Sequence, residues 1–254
     1  GKTTLAATLP KPIFIMSMSP GGTQTIRDQV HQRKVVVDAR YENDDMTNPV
    51  AYVNFYKNFQ EMRRNGFFSN FASMAIDGLT EMGRSMMWYI VKRDGRAYPE
   101  VGSPIAVNRE IHGPTFNTWD VVLNNMVSLT NQVCSLPIHT AITAHIEKDK
   151  DDFLETYVNF ISFPGQSKTQ IPMRVPEVFY IITRDKLVGQ LKVPSRVILT
   201  SNNGRFQAST RMGSKGKLLA EEPFNEGEQV LQNLIKKCGL DWADKGDGTL
   251  KEIK

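Results

Sequence analysis

Two short motifs constrain this chain more than anything else in it. The first is Gly1-Lys2-Thr3-Thr4, which runs at once into the helix-prone Leu5-Ala6-Ala7-Thr8-Leu9. It has the form of the second half of a G-x-x-x-x-G-K-[ST] loop, in which Gly frees backbone N–H groups for a phosphate. In such a loop Lys reaches the β/γ-phosphates and the first hydroxyl holds Mg²⁺. Gly1, Lys2, Thr3 and Thr4 are therefore candidate nucleotide-binding residues. The second motif is Phe71-Ala72-Ser73-Met74-Ala75-Ile76-Asp77, a short apolar strand ending in a carboxylate. That is the form of a Walker B strand, whose Asp sits opposite the loop hydroxyl across the metal. Thr3 and Asp77 are the candidate metal ligands, with ATP and Mg²⁺ the expected cofactors. Residue 1 is not Met, so the chain reads as truncated, with the upstream glycines and the strand feeding the loop expected before it.

A pair of motifs in this order calls for an α/β fold, and the patterning agrees. Pro12–Met16 and Val35–Val37 are apolar runs of strand length, the latter ending at Asp38. Tyr52, Phe55, Phe59 and Met62 recur at helical spacing until Gly66; Met82, Met86, Tyr89 and Ile90 mark a second helix. The longest helix is expected from about Thr115 to Leu136, with Trp119, Val122, Met126, Leu129, Val133 and Leu136 on one stripe, followed by a strand over Ile138–His145. Strands alternating with helices predict βαβ units and a mainly parallel sheet. Beyond His145 the pattern changes. Glu155–Phe163 alternates like a strand, and Ser195–Thr200 and Arg205–Ala208 flank Asn202-Asn203-Gly204, a hairpin signal. A last helix is expected over Glu226–Cys238 with Gly239 as its cap, then a polar, frayed tail from Asp244.

With 254 residues, 40% of them hydrophobic, the chain can bury a substantial core. The division expected is a core over residues 1–212 and a C-terminal helix and tail over 213–254. No run of about 18 apolar residues exists, so no membrane helix is predicted. Cys134 and Cys238 read as buried thiols in a reducing compartment, and the scattered histidines offer no zinc spacing. A net charge of +4 and a pI near 9.0 lean toward nucleic-acid or nucleotide partners.

Four landmarks together resemble the phage RecA-like ATPases that include single-strand-annealing recombination proteins. They are the Gly1–Thr4 loop with its Leu9-Pro10-Lys11-Pro12 exit, Ile76-Asp77-Gly78-Leu79-Thr80-Glu81, Trp119-Asp120, and Thr143-Ala144-His145. Phe163-Pro164-Gly165 and the Leu199–Arg211 stretch also fit that pattern. The resemblance implies a RecA-like P-loop core with helices on a mainly parallel sheet, then C-terminal β-hairpins and a closing helix. It further implies ATP binding coupled to homo-oligomerisation on single-stranded DNA, in the cytoplasm of a host cell. His145 would then sense the γ-phosphate. Arg211, by its position just past the hairpin, is a candidate finger that would reach a neighbouring subunit's phosphate in an oligomer.

One departure concerns catalysis. The family tends to end the strand after the loop helix in an Asp-x-Glu segment that polarises the attacking water. Here that segment is Ser17-Met18-Ser19-Pro20-Gly21-Gly22, and Asp77 is followed by Gly78. Glu81 would substitute only if its turn folds back toward the phosphate. For DNA, the best candidates are Lys92, Arg93 and Arg96 with Tyr98 as a stacking surface, in a segment broken by Gly and Pro. Lys148, Lys150, Lys168 and Arg174 share their region with Asp149, Asp151, Asp152 and Glu155, and read instead as an exposed mixed-charge hairpin. Two other readings remain at this level: a non-hydrolysing structural module of a viral assembly, and a helicase or helicase-loader motor.

Overall fold

In the computed structural model of the chain, described over residues 1–96, 113–151, 156–163, 166–189, 191–212, 217–224, 229–240 and 244–251, four parallel strands form the central sheet. They are β1 (Ile13–Ser17), β2 (Val35–Asp38), β3 (Ser73–Asp77) and β4 (His139–Thr143), in the spatial order β2-β1-β3-β4. Strict alternation along β1 sorts its side chains. Phe14 and Met16 enter one core with Met74 and Ile76 of β3, while Ile13 and Ile15 enter a second core with Ala75. Both faces of the sheet are thus covered, as a parallel sheet requires.

The first core is roofed by α3 (Ala51–Arg64), α4 (Leu79–Arg93) and α5 (Phe116–Cys134). Helix α3 buries Tyr52, Phe55 and Phe59 on the expected stripe, and Gly66, at φ +67°, turns the chain after it. Helix α5 starts at a capping box: Thr115 accepts from the Thr118 backbone N–H while the Thr118 hydroxyl accepts from that of Thr115. Val122, Met126, Leu129 and Val133 are buried, but Trp119, at the first turn, is 36% exposed. The second core is closed by α1 (Lys2–Ala6) and α7 (Val230–Lys237), and the short α2 (Arg27–His31) and α6 (Ser167–Gln170) complete the α-helices described. Helix α1 ends at Ala6 rather than Leu9, where the Thr8 hydroxyl turns back to the Leu5 carbonyl and accepts from the Leu231 N–H of α7.

The antiparallel part differs from expectation in one respect. Asn202-Asn203-Gly204 makes a turn but no hairpin, because both Asn side chains accept from local N–H groups of Gly204, Arg205 and Phe206. The hairpin forms one strand earlier, between β8 (Tyr180–Val188) and β9 (Leu191–Leu199), with Val188 paired to Leu191 around Gly189 at φ +64°. The other edge of β9 pairs with β11 (Glu221–Phe224), and the short β7 (Glu177–Val178) pairs with β10 (Ser209–Thr210). Between β4 and β8, β5 (Ile146–Asp151) and β6 (Thr156–Ile161) form the expected mixed-charge ribbon. There Lys168 pairs with Asp149 and the Lys148 ammonium lies 4.3 Å from the Tyr157 ring centroid.

Two further expectations are corrected. Cys134 is exposed at the end of α5, whereas Cys238 is buried. The tail is not frayed over its described part: Asp244 accepts from the Lys11 N–H at 2.8 Å, and the Lys245 N–H donates to the Lys11 carbonyl at 2.7 Å. Leu250 then donates to the Arg33 carbonyl and packs on the first core. No helix among the described residues is long and apolar enough to cross a membrane.

Candidate nucleotide site

Strand register lines up the site. Ser17 pairs with Asp77 across β1 and β3, and Asp77 with Thr143 across β3 and β4, so the three final strand residues stand in one row. They lie at the carboxyl ends of the strands, where open α/β sheets present ligands. Asp77 is 1% exposed. Its Oδ2 accepts from the Thr3 hydroxyl at 2.6 Å and its Oδ1 from the Thr143 hydroxyl at 2.5 Å. The Gly78 N–H donates in turn to Thr143 Oγ1 at 3.1 Å. Two hydroxyl donors compensate a carboxylate that has lost its water. The two candidate metal ligands are therefore in direct contact, brought together from opposite ends of the Walker pair.

Two glycines let the surrounding loops close on that row. A Cβ on Gly22 would lie 3.0 Å from Asp77 Oδ2 and 3.2 Å from Thr3 Oγ1, directly on the two hydrogen-bonded oxygens of the candidate metal ligands. Gly78, at φ +107°, has a backbone that L side chains rarely adopt, and a Cβ there would stand 2.5 Å from Ser19 Oγ.

Lys2, His145 and Glu81 form a chain beside the Thr3–Asp77 pair. Lys2 Nζ is 3.3 Å from His145 Nδ1, and His145 Nε2 is 3.3 Å from Glu81 Oε1. With Nδ1 accepting from the ammonium, the ring proton of a neutral His145 sits on Nε2 and points at Glu81. Glu81 also accepts from the Ser19 hydroxyl at 3.3 Å, and it is connected to the loop lysine through His145. The His145 N–H is fixed by Thr80 Oγ1 at 3.0 Å.

The other predicted residues distribute differently. Gly1 starts α1, its Cα side facing Ile181. Thr4 donates to the Thr25 hydroxyl at 3.2 Å, on the 3-10 turn Gly22–Ile26 rather than on Asp77. Arg211 donates its backbone N–H to Glu177, and no described contact joins it to Lys2, Thr3 or Asp77. Lys92 is held by the Thr47 carbonyl and Asn48, Arg93 pairs with Asp94, and Arg96 donates to the Gly113 carbonyl. Tyr98 lies outside the described residues.

Sequence reasoning named Thr143 only within a family landmark, without a site role, and passed over Glu42. The first was visible as the last hydroxyl of a strand parallel to the Asp77 strand. Glu42 approaches β1 from the loop after β2, with Oε1 accepting from the Ser17 hydroxyl at 2.6 Å. Only the strand order reveals it.

No curated protein matches the chain. A family model described as the AAA domain matches residues 1–212, the span that holds every site residue above, and the chain belongs to that family of P-loop nucleotide-binding domains.

Proposed function

We propose that the protein binds ATP with Mg²⁺ at the carboxyl ends of β1, β3 and β4. The observation that carries this reading is the 2.6 Å hydrogen bond from Thr3 to the buried Asp77. A loop hydroxyl and a strand-end carboxylate at that separation are the pair that positions a hydrated Mg²⁺ against the β/γ-phosphates. Lys2 supplies the charge for those phosphates, exchanging its His145 partner for phosphate oxygens. His145, so released, would donate to the γ-phosphate from just beyond the end of β4. Calorimetric titration with ATP and Mg²⁺ tests the reading. Lys2→Ala abolishes binding, and equal affinity in the two proteins refutes it. Asp77→Asn mainly weakens the Mg²⁺ dependence.

The same reading extends to an ATP-coupled recombination protein that assembles as a homo-oligomer on single-stranded DNA. The motif resemblance and the net charge of +4 support that extension. Contact through Lys92, Arg93 and Arg96 requires each to exchange its local acceptor for a phosphate. Arg211 would serve as the finger that reaches a neighbouring subunit.

A further inference from the structure

The Ser17–Gly22 segment has no carboxylate to orient an attacking water, yet the fold delivers one from elsewhere. Strand β2 lies beside β1 and parallel to it, so the chain leaving Asp38 emerges at the same end of the sheet as Ser17 and Asp77. Four residues later Glu42 turns back onto β1. Its Oε1 accepts from the Ser17 hydroxyl at 2.6 Å and its Oε2 faces the Gly21 N–H at 3.4 Å. Ser17, fully buried, is the register partner of Asp77, and Gly22 packs on Asp77 and Thr3. The carboxylate is therefore tied to the strand neighbour of Asp77 and to the residue preceding the glycine that packs on Asp77 and Thr3.

Its neighbours hold it there. Tyr41 is 1% exposed, its ring edge-on to Phe55 at 5.4 Å and its hydroxyl bonded to Asp38 and Asn58. On the other side, Asp44 Oδ1 accepts from the Val50 and Ala51 N–H groups at the start of α3. Glu42 thus sits between two anchored residues on a short turn, the rigidity a reacting group requires. Among the described residues it has no ion-pair partner, while Glu81 is engaged by both His145 and Ser19. Its Oε2, with one long contact, retains the capacity to accept from a water.

We propose that Glu42 is the carboxylate that orients and deprotonates the attacking water in ATP hydrolysis, with Ser17 as its positioning residue. The proposal rests on the ATP-binding reading above. In the step, the water oxygen bonds to the γ-phosphorus as the bond from that phosphorus to the β,γ-bridging oxygen breaks. ADP leaves with that electron pair. Glu42 takes the water proton and returns it to phosphate or solvent, so the carboxylate is unchanged after each turnover.

The test is ATP·Mg²⁺ affinity by calorimetry alongside phosphate release, on the full-length protein. Glu42→Gln keeps an acceptor for Ser17 and loses only basicity. It is expected to bind ATP within about threefold of wild type and to release phosphate about 10²–10⁴-fold more slowly, the usual cost of a lost general base. Ser17→Ala, which frees the carboxylate, lowers kcat about tenfold with KM unchanged, and Glu42→Asp restores part of the rate lost in Glu42→Gln. Wild-type turnover in Glu42→Gln overturns the proposal and leaves ATP binding standing, as does a wild type that binds ATP without releasing phosphate. A wild type that fails to bind ATP overturns the nucleotide reading itself. Should Glu42→Gln fail to fold, an unchanged kcat in Ser17→Ala still overturns the assignment.

Discussion

Gly83→Ala pits helix propensity against packing on the helix that carries Glu81. Gly83 lies within α4, where Ala is better than Gly by about 1 kcal/mol in an exposed helix interior. A Cβ there would stand 2.1 Å from Phe163 Cε2 and 2.2 Å from Cζ. Carbon atoms rest at about 3.5–4 Å, so the ring must retreat by roughly 1.5 Å. Phe163 is 2% exposed and belongs to the first core, where no such room exists without displacing neighbours. Overpacking of this kind costs about 1–3 kcal/mol, and the clash here belongs at the upper end. Set against the propensity gain, the net loss is about 1–2 kcal/mol, which for a chain of this length lowers Tm by about 2–8 °C. Calorimetric melting of Gly83→Ala, Phe163→Leu and the double variant measures it. The added methyl fills part of the space the ring vacates, so the double variant is expected to lose at least about 1 kcal/mol less than the sum of the singles. A Gly83→Ala protein that melts higher than wild type, or strictly additive losses, refutes the packing argument.

Thr3→Val removes one of two donors to a buried carboxylate and is expected to cost about 1–3 kcal/mol in denaturant unfolding as well as Mg²⁺ affinity; an unchanged midpoint contradicts it. Burial pushes the Tyr41 and Tyr52 hydroxyls up to about 12. Their raised folded values mean that this contribution is complete below the unfolded value of about 10 and is lost as pH rises through 12, so stability should fall across that window. Denaturation midpoints of Tyr41→Phe and Tyr52→Phe should show a shallower fall, and an identical pH profile rules out these tyrosines as the cause. Single-stranded DNA, if held through phosphates by Lys92, Arg93 and Arg96, dissociates as salt rises with a log–log slope of roughly −0.7 per phosphate contacted. Changing all three to Ala should flatten that slope and spare ATP binding; an unchanged slope moves the contact elsewhere.

What could be read from the amino-acid order follows how local each signal is. The stripes of α3, α4 and α5 repeat within a few turns, and the apolar runs of β1 to β3 are bounded by turn residues, so those elements stand close to where they were expected. The Thr3–Asp77 pairing was also readable, because each motif carries its own chemistry. Glu42 was not, since its place depends on β2 lying next to β1, a relation between strands that periodicity does not encode. The Asn202-Asn203-Gly204 signal was real as a turn, but β9 had other partners on both edges and left no strand for a hairpin there. Trp119 sits on the expected stripe of α5 yet stays partly exposed in the first turn, and Val122 is the first member of the stripe to be fully buried. The polar tail was misjudged because the bonds of Lys245 to Lys11 and of Leu250 to Arg33 are backbone to backbone, which side-chain composition cannot report, and the partner of the Asp244 carboxylate is a distant backbone N–H.

That tail gives the C-terminal stretch a mechanical address. Lys11 sits between α1 and β1, its ammonium bonded to Gln29 at 2.7 Å and its backbone bonded on both sides to residues 244 and 245. Leu250 is fastened to Arg33 just before β2. A force on this segment is therefore delivered first to the exit of the helix that carries Lys2 and Thr3, and to the entrance of the strand whose following loop carries Glu42. Cargo or a label attached here pulls on the amino ends of β1 and β2, the end of the sheet opposite the candidate nucleotide site.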